Sequence, residues 1–304
     1  MIYNRVPVYW WKGSSLSISN FGDEVGPYLI QKLFKKRIIP VPHPSMRRFK
    51  WILPHFVTAG SIISEINSNS IVWGSGIIKK DQEIKMGVFL AVRGYQTRKR
   101  LIELGYSCPE KIGDPALLLP LCYNPNFNKK IFKYTFIPHY IDYMYVKETF
   151  GTFINVINLK DSNVENVIDQ ILKSEYIISS SLHGLIVPHT YGIPALWVKS
   201  FNKLAGDNIK FKDYLESVNI LQKNPVTIQN VINISQLEEL FIKNAEYTIV
   251  EDSILQKRRD DLLESCPFNK SVRWILILLS KVITYRLSNK IINFSRSFEK
   301  RRKS

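Results

Sequence analysis

Short apolar runs alternate with helical periods along most of this chain. Residues 6–10, 56–58, 70–73 and 88–92 read as buried strands, and all but the first stop at small or polar turns: Ala59-Gly60-Ser61, Gly74-Ser75-Gly76 and Arg93-Gly94. Between them Val25, Tyr28, Leu29 and Leu33 share one helical face, with Pro27 tolerated in the first turn. A second helix is predicted over about 96–104, closed by Gly105. Residues 121–133 lose periodicity and read as a linker. The pattern then restarts, with strands at 135–137, 153–159, 176–178 and 195–198. Val164, Val167, Ile168, Ile171 and Leu172 form a full helical stripe, capped by Asp161 or Ser162. Further helices are expected at 182–191, where Pro188 should kink the chain, and near 235–244 and 253–263. Two successive βα arrays predict an α/β protein of two Rossmann-like domains facing a cleft, 1–122 and 123–268, with a tail over 269–304.

Composition narrows the class. Apolar residues make up 45% of the 304 and charged residues 22%, which excludes a disordered or fibrous chain. No stretch reaches the roughly 18 apolar residues of a membrane span. The first residues show no apolar signal core, and Cys108, Cys122 and Cys266 form no Cys-x-x-Cys pair, so a reducing cytoplasm is the expected setting. The net charge is +16, and nine of those charges fall after residue 269, where ten Lys or Arg face the single acid Glu299. Apolar Trp274–Leu279 and the cations interleaved beyond it read as a basic amphipathic helix on anionic lipid, or as a core helix ending in a charged tip. Nucleic-acid binding is disfavoured, because the surplus is not spread over a face.

Candidate chemistry gathers at predicted strand ends: Asn20-Phe21-Gly22-Asp23, Arg93 to Arg98, Gly113-Asp114-Pro115, and Ser179-Ser180-Ser181-Leu182-His183. Each alone has a plain structural use as a cap, a turn or a surface cation. The last cluster sits where a parallel sheet binds ligands and where a helix start offers free N–H groups to an anion. No Asp-x-Asp, His-x-x-x-His or Cys cluster supplies a metal site.

In order along the chain, Asn20-Phe21-Gly22-Asp23, Val92-Arg93-Gly94 with Thr97-Arg98, Gly113-Asp114-Pro115, Ile137-Pro138-His139, Ser180-Ser181-Leu182-His183-Gly184, Tyr191-Gly192-Ile193-Pro194 and Cys266-Pro267-Phe268 resemble the polysaccharide pyruvyltransferase family, especially its exopolysaccharide ketal-pyruvate branch. The resemblance implies a two-domain fold similar to GT-B glycosyltransferases, with the first domain on the acceptor side and the second on the donor side. It also implies transfer of pyruvate from phosphoenolpyruvate to a sugar of a surface-polysaccharide precursor, forming a ketal. No cofactor or metal is implied, and the acceptor is expected on a lipid carrier at the inner membrane face, which residues 270–304 would touch. Some relatives carry Arg just before the Leu-His pair, where this chain has Ser181, so another cation has to balance the donor.

On this reading His183 is the general acid or phosphate partner, held protonated by a neighbouring anion, and Asp23 is the base for the acceptor hydroxyl. Arg93, Arg98, Ser179, Ser180, Ser181, His139, Lys199 and Asn20 are the expected substrate contacts, with Arg93 and His183 converging on the donor from opposite domains; Asp114 is weighed as mainly structural. Two other classes remain open: a GT-B-like glycosyltransferase using a nucleotide sugar, and a non-enzymatic basic binding protein.

Overall fold

The computed structural model describes residues 4–12, 20–46, 54–126, 129–202, 204–231, 233–270, 280 and 284. The amphipathic helix expected over 270–304 lies almost wholly outside them. No helix among the described residues is long and apolar enough to cross a membrane.

Two parallel sheets organise the chain. The first contains β1 (Arg5–Tyr9), β2 (Arg37–Pro40), β3 (His55–Val57), β4 (Ser70–Trp73) and β5 (Val88–Ala91), in the order β2-β1-β3-β4-β5. The second contains β6 (Phe132–Ile137), β7 (Asn155–Val156), β8 (Ser174–Ser179) and β9 (Ala195–Trp197), in the order β7-β6-β8-β9. Every pairing between these strands is parallel, so each connection crosses over, and several do so through a helix. The helices are α1 (Phe21–Lys32), α2 (Tyr95–Glu103), α3 (Tyr143–Phe150), α4 (Val164–Leu172), α5 (His183–Thr190), α6 (Ile209–Ser217), α7 (Ile234–Lys243) and α8 (Asp252–Ser265), the last three following β9.

Local causes are visible in α4. All five residues of its predicted stripe are buried, and the cap is Asn163, whose side chain accepts the Asn166 N–H. Asp161, one of the two expected caps, instead accepts the Asn163 N–H at 2.8 Å and shapes the turn before it. The strand predicted over 153–159 shrinks to the two residues of β7, because a strand at the sheet edge has only β6 to pair with. Gly113-Asp114-Pro115 starts a 3-10 helix, Pro115–Leu121, with Asp114 accepting the Ala116 N–H. In α5 the helix runs only two residues past Pro188, whose ring removes an amide donor.

The two sheets share one apolar core, which passes through the Pro115–Leu121 helix to α5 and α4. Helix α8 returns to the first sheet, where Trp73 Nε1 donates to the Leu262 carbonyl at 3.0 Å. Beyond it Phe268 packs against Phe34, Phe56 and Trp73 at centroid distances of 5.1–5.5 Å.

A polar joint ties α6 to the first sheet. Arg93, 0% exposed, donates from Nε to Asp213 at 3.0 Å, from Nη1 to Ser61 Oγ at 2.6 Å, and from Nη2 to the Ile77 carbonyl at 2.6 Å. Asp213 also accepts the Thr97 N–H and the Thr97 hydroxyl, at 2.9 and 2.6 Å, and so caps the first turn of α2 from another element. The backbone fits closely here: a Cβ at Gly94 would stand 1.8 Å from the Asp213 carbonyl oxygen, and one at Gly76 would stand 2.4 Å from the Arg93 guanidinium carbon. Replacing Asp213 by Ala strands a buried guanidinium, so urea denaturation should show a loss of about 3–5 kcal/mol; an unchanged midpoint would show that the pair holds nothing together.

Candidate functional site

A cavity of about 640 Å³ lies where strand ends of both sheets meet. Trp11 follows β1, Gly60 to Ile62 follow β3, and Ile78 and Lys79 follow β4. From the second sheet come His139 to Ile141 after β6 and Ser181 to His183 after β8. Asn20 and Asp23 enter from the start of α1, and Lys210 from the start of α6. Carboxyl ends of parallel strands are where such sheets bind ligands, because chain crossings there leave a crevice.

Of the expected contacts, the structure brings Asn20, Asp23, His139, Ser181 and His183 to this cavity. It does not bring Arg93 there. The expected convergence of a guanidinium on the donor is replaced by the buried joint just described, in which each guanidinium nitrogen has an acceptor. Arg98 lines a separate groove, donating to the Pro109 carbonyl at 3.3 Å and lying 3.7 Å from Glu110. Lys199 is exposed beyond β9 and does not line the cavity. Ser179 and Ser180 are buried scaffold: the Ser179 hydroxyl donates to the Ile137 carbonyl and accepts the Ser181 N–H, while Ser180 Oγ accepts the His139 N–H. They lock the β6 and β8 loops together, which sets His139 and His183 on one wall.

His183 opens α5. A Cβ at position 22 would stand 2.2 Å from its Nδ1, so glycine there lets the first turn of α1 close on the imidazole. Phe21 meets the ring edge-on at 6.5 Å. On the other side Asp114 Oδ1 lies 3.9 Å from His183 Nε2, an electrostatic contact too long for a hydrogen bond. Asp114 is thus a cap and also a charge beside the imidazole. Burial lowers the His183 pKa, Arg93 and Lys210 lower it further, and Asp114 offsets only part of this. Without a ligand, burial is the largest influence and favours the neutral imidazole; the protonated form expected beside an anion belongs to a site with an anion bound. His139 goes the same way, to about 4, by burial first and Lys210 second.

Lys210 was not among the expected contacts. It is buried, with its ammonium lowered to about 8 by desolvation and by Arg93, against the opposing pull of Asp23. It makes no ion pair with any described residue, and its Nζ lies 5.3 Å from the Phe211 ring centroid. One sequence signal was available. Lys210 is the second residue of a helix, where the macrodipole favours acids, and it follows Asp207-Asn208, a turn in which Asp207 accepts the Ile209 N–H and Asn208 is left-handed. Asp23 is the counterpart acid, raised to about 7 by burial and by Glu24, with Asn20 and Lys210 pulling the other way. Asn20 Oδ1, His139 Nδ1, His183 Nε2 and Asp114 Oδ2 are buried and find no hydrogen-bond partner among the described residues. Asn20, His139 and His183 line the cavity, with Asp114 behind His183, and orphaned polar atoms around one cavity are the mark of groups that a ligand satisfies. No group of His, Cys, Asp and Glu among the described residues is arranged to hold a metal ion.

The fold is of the Rossmann-like kind, with acids, imidazoles and a buried ammonium gathered at one set of strand ends. The chain belongs to the polysaccharide pyruvyl transferase family, whose model matches residues 20–200, and it is a transferase. It is also 31% identical over 207 residues to an uncharacterized protein of Acanthamoeba polyphaga mimivirus, covering 64% of this chain and 70% of that one. No solved structure matches it.

The Asp23 shift gives a test of the site's electrostatics. Its carboxyl titrates near 7 when folded and near 3.9 when unfolded, so between these values the folded state holds the extra proton. Asp23 therefore withdraws stability as pH rises from about 4 to about 7, whereas His139, lowered to about 4, adds stability over much of that range. Subtracting the urea-denaturation curves of Asp23→Asn from wild type isolates the carboxyl. The difference should favour the variant increasingly up to pH 7 and then level off; a flat difference would show Asp23 to be ordinarily solvated.

Proposed function

We propose that this enzyme transfers pyruvate from phosphoenolpyruvate to two hydroxyls of a sugar in a surface-polysaccharide precursor, forming a cyclic ketal, within a GT-B-like arrangement of its two units. The observation that carries the reading is the buried Lys210 ammonium, without an ion pair among the described residues, in a cavity that also holds two imidazoles and the start of α5. An uncompensated buried cation is costly, and a small polyanion removes that cost. Phosphoenolpyruvate carries a phosphate and a carboxylate within one small molecule. Lys210 fills the role of the cation that Ser181 does not provide before Leu182 and His183.

The chemistry needs a proton at the donor methylene carbon, attack of a sugar hydroxyl oxygen on C2, and departure of phosphate as the second hydroxyl closes the ring. Two hydroxyl protons leave; one equivalent goes to the new methyl group and one to phosphate. His183 suits the acid role once the donor is bound, because an adjacent polyanion reverses the desolvation that keeps it neutral in the free enzyme. Asp23 suits the acceptor side, since a carboxyl near 7 exchanges protons readily at neutral pH. Lys210 and the free amides at the start of α5 hold the phosphate and stabilise it as it leaves.

Phosphate release from phosphoenolpyruvate should depend on an added sugar acceptor, and His183→Gln should lose roughly 100-fold or more of that rate while keeping its thermal transition. Near-normal turnover in that variant would remove His183 from the chemistry. The pH profile of kcat/KM should be a narrow bell, rising as Asp23 ionises near 7 and falling as Lys210 deprotonates near 8. Lys210→Arg should push the alkaline limb beyond pH 10; a limb that stays in place assigns it to another group.

A further inference from the structure

One wall of the cavity is left unused by the donor chemistry. Trp11 lines it and remains 47% exposed, with neither a hydrogen bond nor a ring contact among the described residues. Its neighbour Trp10 shows what a structural tryptophan does here: it is buried, donates from Nε1 to Glu24 at 3.2 Å, and carries Lys12 over its ring at 4.3 Å. A large ring left half in water at the mouth of a polar cavity costs hydration without packing in return, and such surfaces mark ligand-binding grooves.

Glu65 lines the same cavity from the 3-10 turn between β3 and β4. It is held from behind rather than neutralised within the cavity. His43 Nε2 lies 2.7 Å from Glu65 Oε2, while its Nδ1 is held 2.6 Å from the Ser45 hydroxyl and 3.2 Å from the Ser45 backbone nitrogen. Ser64 donates to Oε1 at 2.9 Å. Each carboxylate oxygen keeps a further lone pair, and the side chain is about a third exposed, so it can accept hydroxyl protons from a ligand. The cavity is thus divided by chemistry. Its lining holds Lys210, His183 and His139, donors suited to an anion, and also Trp11 and Glu65, suited to a ring with apolar faces and hydroxyl edges.

We infer that Trp11 and Glu65 form the acceptor subsite, in which a pyranose ring stacks on the Trp11 indole and hydrogen-bonds a hydroxyl to the Glu65 carboxylate that His43 orients. The inference rests on the pyruvyl-transfer reading and adds to it the residues that hold the sugar. In this role Trp11 binds, Glu65 binds and orients, and His43 acts only through Glu65.

Saturation-transfer NMR with methyl gluco-, galacto- and mannopyranosides, in the presence of saturating phosphoenolpyruvate, tests the subsite directly. Calorimetric titration of phosphoenolpyruvate is run in parallel on each variant. The wild type should transfer saturation to the ring protons of at least one glycoside. Trp11→Ala and Glu65→Gln should weaken that binding roughly ten-fold or more, Trp11→Phe should restore most of it, and the affinity for phosphoenolpyruvate should hold in all three. Glycoside binding unchanged in Trp11→Ala and Glu65→Gln, or no glycoside bound while phosphoenolpyruvate still binds, overturns the subsite. Failure of the wild type to bind phosphoenolpyruvate would instead overturn the donor reading on which it rests.

Discussion

The ion pair between Arg93 and Asp213 is the constraint on which the site depends. It joins the end of β5 to α6 across the two halves of the chain, with no exposure of either side chain. Asp213 lies one helical turn beyond Lys210, so fixing the one fixes where the other enters the cavity. A buried pair of this kind adds little net stability over an apolar replacement, but it is costly to break. Its yield here is position. It also shapes the field: Arg93 lies close enough to lower the pKa of both Lys210 and His183 without touching a ligand itself. A guanidinium that looks from sequence like a donor contact thus acts through the groups it holds and polarises.

The cavity shows a second economy. Four of its titratable groups are pushed toward neutrality by burial, the acid Asp23 upward and the bases Lys210, His183 and His139 downward. Asp23 and Lys210 meet near neutral pH, where each passes a proton at little cost. A polyanionic donor arriving on the Lys210 side shifts the bases back toward their charged forms, so binding itself prepares the acid. Gly22 sits at the centre of this arrangement, because its missing Cβ admits the His183 ring against the start of α1 and brings the groups of two units into one space.

Much of this was legible in the residue pattern. The buried runs at 70–73 and 176–178 could only be interior strands, and the five-residue stripe of α4 named its own face. Asp23, His139, Ser181 and His183 were found because turn residues at strand ends place side chains at the sheet's carboxyl edge. What escaped was decided by distant pairing. Arg93 reads as a free cation until Asp213, 120 residues later, folds against it. Helix α6 carries Lys210, Lys212, Asp213 and Glu216 with little apolar bias, so periodicity did not mark it. Ser179 and Ser180 look like an anion cradle, yet their hydroxyls are consumed in holding two loops together. Glu65 and Trp11 lie in a short 3-10 turn and a post-strand loop, where no local pattern signals a ligand.

The central claim is that the Lys210 ammonium receives the anionic donor. NMR of protein labelled with nitrogen-15 at lysine Nζ reads it without any turnover, by following the Lys210 titration with and without saturating phosphoenolpyruvate. The account predicts a midpoint near 8 in the free enzyme that moves upward by about a unit or more when the donor is bound. A midpoint that does not move while the donor binds would place that anion elsewhere and contradict the account.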